Sequence, residues 1–354
     1  MMPYPIGKNN RIFVFLYDIL AEYMDIKKAI KDWMLPISMT AGASAYLLYH
    51  WIPALHPAGP ALENTVGIIQ PLIIFVMLFL TFCRIEPKDL RPHRWHGWML
   101  LVQGGLFTLL GLSIVLLRHL VPDCGESTVL IESAMVCLIC PTATAAAVVT
   151  KKLGGDVAGI TTYTILINVL TAILVPAIVP IVQPKHGVDF ISASMMILAK
   201  VFPLLIMPCF CAWLLRYISP KIHSRLARKA DLAFYIWAVG LFLAIVVTVK
   251  AIVHSTMPVV LILSIGAVSL ASCIFQFWAG HVLGGRYDIA KGGEDGLRES
   301  RTTTCGQALG QKNTVFAIWM GYTFLSPETS IAGGLYSIWH NLYNSWQIYR
   351  YQKH

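Results

Sequence analysis

The sequence has few charged residues. Asp, Glu, Lys and Arg make up 13% of its 354 residues, whereas hydrophobic residues make up 56%. A soluble globular domain carries about 25% charged residues, so this chain has too few to cover a surface that faces water. The deficit excludes an ordinary soluble protein and indicates that a lipid bilayer solvates much of the chain.

The sequence also lacks the motifs of hydrolytic enzymes. It contains no His-Glu-x-x-His, no Gly-x-Ser-x-Gly and no pair of aspartates within a hydrophobic run. Its eight cysteines fall mostly inside hydrophobic runs, where cysteine packs as a small apolar residue, and they lack metal-ligand companions. We therefore expect neither an enzyme nor a metal or cofactor site, and sodium is the one ion whose binding stays in question.

The N-terminal segment, residues 1–33, does not have the sequence of a secretory signal peptide. Acidic residues interrupt its apolar stretch, and no cleavage site of small residues follows. Apolar residues at helical spacing, followed by Lys27, Lys28 and Lys31, predict an amphipathic helix on the inner surface of the membrane. A poorly ordered tail is the alternative.

The rest of the chain contains hydrophobic runs of the length that crosses a bilayer, which is about 20 residues. We predict ten spans, at residues 34–54, 62–83, 95–117, 127–150, 156–183, 187–217, 231–253, 256–283, 300–325 and 328–349. Five spans reverse the orientation of the next five, as in an inverted repeat. The prediction is an all-α polytopic membrane protein with repeats at 34–186 and 187–354.

The basic residues agree with this topology. When both termini are placed inside, most of the 27 Lys and Arg residues lie in interior segments, and the exterior loops hold only Arg118 and Lys185. The net charge of +9 is thus explained by cytoplasmic loops and not by a nucleic-acid surface. We predict a multi-pass protein of the cell inner membrane with both termini in the cytoplasm, and we take a monomer as the working expectation.

The fourth span of each half contains residues that interrupt a helix. In the first half, Pro141 removes a backbone donor, and the hydroxyls of Thr142 and Thr144 can satisfy freed carbonyls. In the second half, residues 306–314 (GQALGQKNT) form the most polar stretch of any span. Interruptions at corresponding positions of two repeats indicate the binding site of a transporter. An ordinary proline kink is the alternative for Pro141.

Lys312 is the strongest single candidate. A lysine at the centre of a membrane span costs about 3 kcal/mol or more and cannot easily extend to the surface. The ends of broken helices attract anions at free N–H groups and cations at free carbonyls. We therefore expect Lys312 to line a cavity or to take the place of a bound cation.

Other polar residues of the spans are candidates with a structural alternative. Gln103 and the pair Thr164 and Asn168, one turn apart, could equally form hydrogen bonds between helices. His340 and Asn341 lie in the last span, where a histidine is either hydrogen-bonded structure or a proton relay. The candidate substrate- and ion-binding residues are Gln103, Pro141, Thr142, Thr144, Thr164, Asn168, Gln311, Lys312, Asn313, Thr314, His340 and Asn341.

Three charged residues of the spans have no clear role in the sequence. Lys250 is near a span end and can extend outward, whereas no partner for Lys200 is evident. Glu132 lies early in its span, and we expect it near the outer surface.

The order and spacing of these motifs resemble the bile acid:sodium symporter family. The similar segments are 140–145 (CPTATA), 155–158 (GDVA), 301–302 (RT), 310–314 (GQKNT) and 337–341 (SIWHN), and the resemblance covers about residues 30–350. It implies a panel domain of spans 1, 2, 6 and 7 and a core domain of the other six, in which spans 4 and 9 are unwound and cross. It also implies sodium-driven, alternating-access transport of organic anions such as bile acids or small carboxylates.

The chain departs from this family where the family binds sodium. Ala146 and Ala147 stand in place of a Ser-Asn pair, Ala308 in place of a glutamate, Lys312 in place of a glutamine and Ile160 in place of a serine. Alanine offers no side-chain oxygen, and a hard cation needs several oxygen ligands. The resemblance therefore gives the fold but leaves sodium coupling doubtful.

Gln103 and Thr164 still match ligand positions of the family, and Asn313 and Thr314 keep the flanking residue types. In a typical member, two sodium ions and one carboxylate give a net charge of +1 at the crossing, and a protonated Lys312 supplies the same charge alone. The hypothesis is a sodium-independent transporter of a small organic anion, in which Lys312 replaces the sodium ions. Uniport, exchange and proton coupling all remain open.

Two other classes share parts of this pattern. A cation/proton antiporter also has crossed helices, but it relies on an aspartate at the first crossing, where this chain has Thr and Ala. A sensor with a transporter fold would bind its ligand without moving it, but the predicted loops are short and no soluble domain is attached.

Overall fold

The computed structural model describes residues 33–121, 124–184, 186–289 and 295–353, and every element in these ranges is a helix. The amphipathic helix expected within residues 1–33 lies outside the described residues, apart from Trp33. Lys185, which was placed in an exterior loop, also lies outside them.

The described residues of the first half form six α-helices. They are α1 (Met34–Trp51), α2 (Gly59–Phe82), α3 (Arg94–Leu120), α4 (Gly125–Ile139), α5 (Ala146–Lys152) and α6 (Val157–Val182). Short 3-10 helices, Pro53–Ala58 and Pro87–Asp89, precede α2 and α3.

In the second half, the residues that the structure describes form eight α-helices. They are α7 (Phe190–Leu205), α8 (Met207–Ile218), α9 (Pro220–Arg228), α10 (Ala230–His254), α11 (Val259–Ile289), α12 (Asp295–Gly310), α13 (Thr314–Phe324) and α14 (Thr329–Lys353).

Six stretches of helix among the described residues are long and apolar enough to cross a membrane. They are Pro53–Phe82, Arg94–Leu120, Val157–Val182, Phe190–Ile218, Leu232–His254 and Val259–Arg286. Large apolar side chains on them face outward, such as Leu101, Leu109 and Leu263. This is the surface of a polytopic α-helical membrane protein. The count of ten spans and the inverted repeat remain predictions.

The predicted span 187–217 is not one continuous helix. It divides into α7 and α8 at Ile206, between Pro203 and Pro208. Proline has no N–H group, so Pro208 cannot donate to the carbonyl four residues earlier, and the helix restarts there. The basic segment that follows, predicted as a loop, folds as the short helix α9.

The helices pack in two groups. Helix α10 packs against α1 and α2, and α2 also packs against α7 and α8. In the other group, α3 packs against α4 and α6, α11 packs against α4, α12 and α14, and α13 packs against α14. The two groups meet where α6 contacts α7 and where α10 contacts α13 and α14.

The two lysines without a clear role in the sequence both lie beside the end of α13. Lys250 forms an ion pair with Glu63, with 2.6 Å between Nζ and Oε1, and its Nζ lies 5.8 Å from the centre of the Tyr322 ring. Lys200 Nζ lies 5.9 Å from the centre of the Phe324 ring. Cation–π contacts thus link both groups of helices at this end of the molecule.

The position of Glu132 near the outer surface stays a prediction, while the structure shows the contacts of its carboxylate. Its side chain is fully buried, and its carboxylate accepts hydrogen bonds from Gln183 Nε2 and from the Ser326 N–H group. A buried carboxylate needs such donors. Glu132 therefore ties α4 to the end of α6 and to the connection between α13 and α14.

Candidate substrate and ion site

The two interrupted segments meet and pair through their backbones. The Ala143 N–H donates to the Gln311 carbonyl at 2.9 Å, and the Asn313 N–H donates to the Pro141 carbonyl at 2.8 Å. This is the hydrogen bonding of a short antiparallel pair, and it satisfies backbone groups that the broken helices leave free. Residues far apart in the sequence are thereby joined where the broken helices cross.

Different residues cause the two interruptions. In the first, Cys140 leaves the helical region at φ −53° and ψ 134°, as expected of a residue that precedes proline. In the second, α12 ends at Gly310, where an added Cβ atom would lie 2.4 Å from the Phe277 ring of α11. Glycine is required there because α11 approaches the break so closely.

Side chains from four other segments cap the C-terminal end of α4, which we define as the carbonyls of residues 137–140. Gln276 donates to the Cys137 carbonyl (3.1 Å) and Lys312 to the Leu138 carbonyl (3.1 Å). Thr171 (3.0 Å) and Gln103 (3.2 Å) both donate to the Ile139 carbonyl, and Gln103 also donates to the Cys140 carbonyl (3.0 Å). Each carbonyl freed by the break therefore has a protein donor.

Lys312 supplies the only charged donor of this set. Its side chain is 1% exposed, and its Nζ donates to the Leu138 carbonyl at 3.1 Å. The C-terminal end of a helix carries partial negative charge, which stabilises a cation placed there. In the part of the chain that the structure describes, no carboxylate forms an ion pair with Lys312. The ammonium thus lies at the end of α4, where one backbone carbonyl, that of Leu138, accepts its hydrogen bond.

The end of α12 is capped in a similar way from across the crossing. Thr142 Oγ1 donates to the Ala308 carbonyl at 3.0 Å, and the Tyr336 hydroxyl donates to the Gly310 carbonyl at 2.8 Å. The sequence predicted that Thr142 would satisfy freed carbonyls, and it does so on the opposite broken helix. Thr144 lies in the first break with its side chain half-buried.

Gln103 joins three elements. Its Nε2 caps α4, and its Oε1 accepts a hydrogen bond from the Tyr163 hydroxyl of α6 at 2.8 Å. The side chain is 1% exposed, so water does not reach its hydrogen-bond partners. Without the Gln103 amide, the Cys140 carbonyl and the Tyr163 hydroxyl would be left unpaired. The alternative given for Gln103, hydrogen bonding between helices, is thus present in the structure.

We expect Gln103→Leu to lower the free energy of unfolding by at least about 2 kcal/mol, because each buried polar group left unpaired costs about 1–3 kcal/mol. Unfolding of the purified protein in detergent measures this loss. Tyr163→Phe is the matched control, since it removes one partner and leaves the carbonyl caps in place. A loss no greater than that of the control would contradict the capping role.

Thr164 and Asn168 share a face of α6, but their hydrogen bonds are local. Thr164 Oγ1 donates to the Ile160 carbonyl at 2.9 Å, and Asn168 Nδ2 donates to the Thr164 carbonyl at 2.6 Å. The buried Asn168 Oδ1 atom has no partner among the described residues. Asn168 Oδ1 is therefore available to accept a hydrogen bond from a ligand or a water.

The second break also carries polar atoms that are free to bind. Asn313 Oδ1 accepts from the Phe316 N–H and caps α13, while its Nδ2 is buried without a partner in the described structure. Gln311 Oε1 is likewise buried and unpartnered in the ranges described. The two neighbours of Lys312 in the sequence thus offer one free donor, Asn313 Nδ2, and one free acceptor, Gln311 Oε1.

The last candidates lie along α14 or beside it. His340 Nδ1 accepts from the Lys312 N–H at 3.3 Å. The Thr314 and Ser337 hydroxyls lie 3.3 Å apart, and Asn341 Nδ2 donates to the Ser337 carbonyl at 2.7 Å. The structure therefore brings Thr314, His340 and Asn341 to one side of the second break.

Sequence reasoning missed several residues of the site. They are Thr171, Gln276 and Tyr336, which cap the broken helices, and Tyr163, which holds Gln103. Thr171 could have been found, because it continues the face of Thr164 and Asn168 along α6. Gln276 and Tyr336 had no distinguishing pattern in the sequence.

A cavity of about 300 Å³ lies away from the crossing, between the end of α2 and the start of α6. It is lined by Arg84, Ile85, Glu86, Arg91, Val157, Ala158 and Thr161, none of which is a candidate residue. A hydrogen bond from Lys88 is the main cause that lowers the pKa of Glu86 in this connecting segment.

The family model described as Sodium Bile acid symporter family matches residues 71–255, which is more than half of the chain. The matched region runs from α2 through α10 and includes the first break and Gln103, while the second break lies beyond it. A comparison with curated proteins found no match.

Proposed function

Because the chain belongs to the sodium bile acid symporter family, we propose that it is a secondary transporter of a small organic anion, such as a bile acid or a small carboxylate. The observation that carries this proposal is the Lys312 ammonium, which donates to the Leu138 carbonyl at the point where the two broken helices cross. The family consists of transporters, and the chain is an integral membrane protein with a buried cation. Both observations favour anion transport over enzymatic activity.

We propose that the two groups of helices move relative to each other in alternating access. Helices α1, α2, α7, α8 and α10 would form the panel domain, and the remaining helices of the spans would form the core domain. The grouping of contacts supports this division. Ten spans in two inverted repeats, a monomer, and an inner-membrane position with both termini in the cytoplasm belong to the same proposal.

Sodium does not fit the site as the residues form it. The carbonyls at the end of α4 already accept hydrogen bonds from protein donors, one of them the Lys312 ammonium. Ala146, Ala147 and Ala308 add no side-chain oxygen. Since sodium needs several oxygen ligands at once, we propose that Lys312 takes over the charge of the sodium ions and that transport is sodium-independent.

An anionic group would bind beside this charge. Burial strengthens the attraction between an ammonium and an anion because the surroundings have a low dielectric constant. The Asn313 Nδ2 atom can donate a hydrogen bond to the same anion, since it is buried and has no partner in the described residues. We propose that the substrate carries one carboxylate or sulfonate that pairs with Lys312.

The test is thermal stabilisation of the purified protein by taurocholate, a conjugated bile acid, in sodium chloride and in potassium chloride. A ligand at 100 times its Kd stabilises the folded state by about 2.7 kcal/mol, which gives a measurable rise in Tm. We expect the same rise in both salts. Stabilisation that requires sodium would contradict the replacement of sodium by Lys312.

Uptake into proteoliposomes then separates transport from sensing. A transporter accumulates or exchanges labelled taurocholate across the bilayer, whereas a sensor of the same fold would bind it and leave the internal concentration unchanged. An antiporter of cations and protons would show neither binding nor uptake of the anion.

A further inference from the structure

Helix α14 carries a stripe of polar residues, which we call the α14 stripe: Ser330, Ser337, His340, Asn344 and Gln347. Their spacings of 7, 3, 4 and 3 residues place them on one face of the helix. The first four are at most 5% exposed, whereas Gln347 is half-buried. A buried polar face is costly inside a membrane protein, so the α14 stripe calls for a function.

The middle of the α14 stripe contacts the backbone N–H group of Lys312, while the Lys312 ammonium points to the end of α4. His340 Nδ1 accepts from the Lys312 N–H at 3.3 Å, and the Ser337 hydroxyl contacts that of Thr314. Because Nδ1 is the acceptor, the hydrogen of a neutral His340 lies on Nε2. Polar atoms therefore continue from the second break along α14.

From there the polar contacts continue towards the C-terminal end of α14. Gln307 Nε2 of α12 donates to Asn344 Oδ1 at 3.0 Å and to Gln347 Oε1 at 2.7 Å. The Gln347 amide then lies 3.4 Å from Nε2 of His281, whose Nδ1 donates to the Phe277 carbonyl. His281 is half-buried, so this end of the path approaches the protein surface.

Several atoms of this path are buried without a protein partner. They include Gln307 Oε1, Asn344 Nδ2 and Gln311 Oε1, among the residues that the structure describes. Their side chains are at most 4% exposed. Buried polar atoms nearly always have a hydrogen-bond partner, and where the protein supplies none an ordered water does. The unpartnered atoms thus point to water along the α14 stripe.

We propose that the α14 stripe is a hydrated proton path between the protein surface near His281 and Lys312, and that the transporter couples one proton to each anion. This inference rests on the proposed function and names its coupling ion. The Lys312 ammonium passes one proton to a water of the path and becomes an amine, and the reverse transfer restores the ammonium. Only N–H and O–H bonds change in this step.

The groups that face Lys312 favour such a transfer. In the described structure, the titratable groups around Lys312 include Cys137 and Cys140 at the end of α4, Cys273 from α11 and His340 from α14. None is a carboxylate that would hold the ammonium charged at all times. A bound anion supplies that negative charge, so the ammonium keeps its proton while the anion is bound and can release it after the anion has left.

The test uses proteoliposomes with an alkaline interior and labelled taurocholate, whose sulfonate stays ionised and does not follow a pH gradient by itself. One proton per anion predicts about tenfold accumulation for each pH unit. Lys312→Arg keeps the charge but cannot release a proton, so uptake by this variant should not respond to the gradient. Protein-free liposomes set the background.

Asn344→Leu tests the path itself. It interrupts the α14 stripe away from the crossing, so we expect slower gradient-driven uptake, by about tenfold, with the Kd of taurocholate for the purified protein unchanged. Ser345→Leu is the matched control, because Ser345 is exposed and lies one position further on the same helix. A cooperative thermal unfolding transition is required of each variant as evidence that it is folded.

The possible results of these experiments test the proton coupling, the path and the proposed function separately. If the wild type binds and exchanges taurocholate but a pH gradient does not drive accumulation, the proton inference is overturned and the proposed function stands. If Asn344→Leu and Ser345→Leu behave alike while the gradient drives the wild type, the path is overturned. If the wild type neither binds nor moves taurocholate, the proposed function itself is contradicted.

Discussion

Lys312→Met is expected to weaken the binding of taurocholate at least tenfold in either salt. The substitution keeps a long apolar side chain and removes the charge of Lys312, the one charge at the crossing of the broken helices among the described residues. A hydrogen bond to a charged group contributes about 1.5–3 kcal/mol, and about 1.4 kcal/mol corresponds to a factor of ten in Kd. Isothermal titration of the purified variant measures the change.

The ligand-free Lys312→Met variant should be at least as stable as the wild type, because replacing a buried charge by an apolar group of similar size is often neutral or stabilising. Loss of binding therefore cannot be attributed to loss of the fold if its Tm is retained. Lys250→Met is the matched control, since Lys250 is also in a helix of the membrane domain but pairs with Glu63. Equal weakening in both variants would mean that Lys312 has no special role.

The double variant Ala308→Glu with Lys312→Gln is expected to gain sodium-dependent stability. These two residues are those of the resembled family at the same positions, and both sites are buried beside the crossing. The glutamate supplies oxygen ligands, and removal of the ammonium frees the Leu138 carbonyl. At 100 times its Kd, sodium would stabilise the variant by about 2.7 kcal/mol, seen as a higher Tm in sodium chloride than in potassium chloride.

The two single variants are the controls for this gain. Ala308→Glu alone would bring a carboxylate close to Lys312, which would compete with sodium for it, and Lys312→Gln alone would lack the carboxylate. Neither should distinguish the two salts. If the folded double variant also has equal Tm values in both salts, then restoring the carboxylate and removing the ammonium do not create a sodium site.

Much of the architecture could be predicted from the sequence because membrane helices follow from local composition. The hydrophobic runs correspond to helices such as α3, α6 and α10, and the breaks at Pro141 and Gly310 lie within the two segments singled out for them. The exception is the division of the predicted span 187–217 at Ile206. Proline is common in membrane helices, so Pro203 and Pro208 did not distinguish a kink from an end.

Burial was harder to predict than position. The sequence placed Glu132 early in its span, near the outer surface, and gave no sign that its side chain is fully buried. Its donors come from Gln183 and Ser326, which lie 51 and 194 positions away in the chain. The same limitation applied to Lys200, because its contact with the Phe324 ring joins residues that lie far apart in the chain.

The sequence by itself determined that the chain lies in a membrane, that two of its helices are broken, and that one break carries a buried lysine. These properties depend on composition and on short motifs, which act locally. Only the tertiary structure decided which partners meet at the breaks. The Lys312 ammonium and the Leu138 carbonyl are 174 positions apart, and Gln103 reaches the same helix end from α3. Hydrogen bonds require contact within about 3 Å, and such contact between distant residues is set by helix packing and not by sequence spacing.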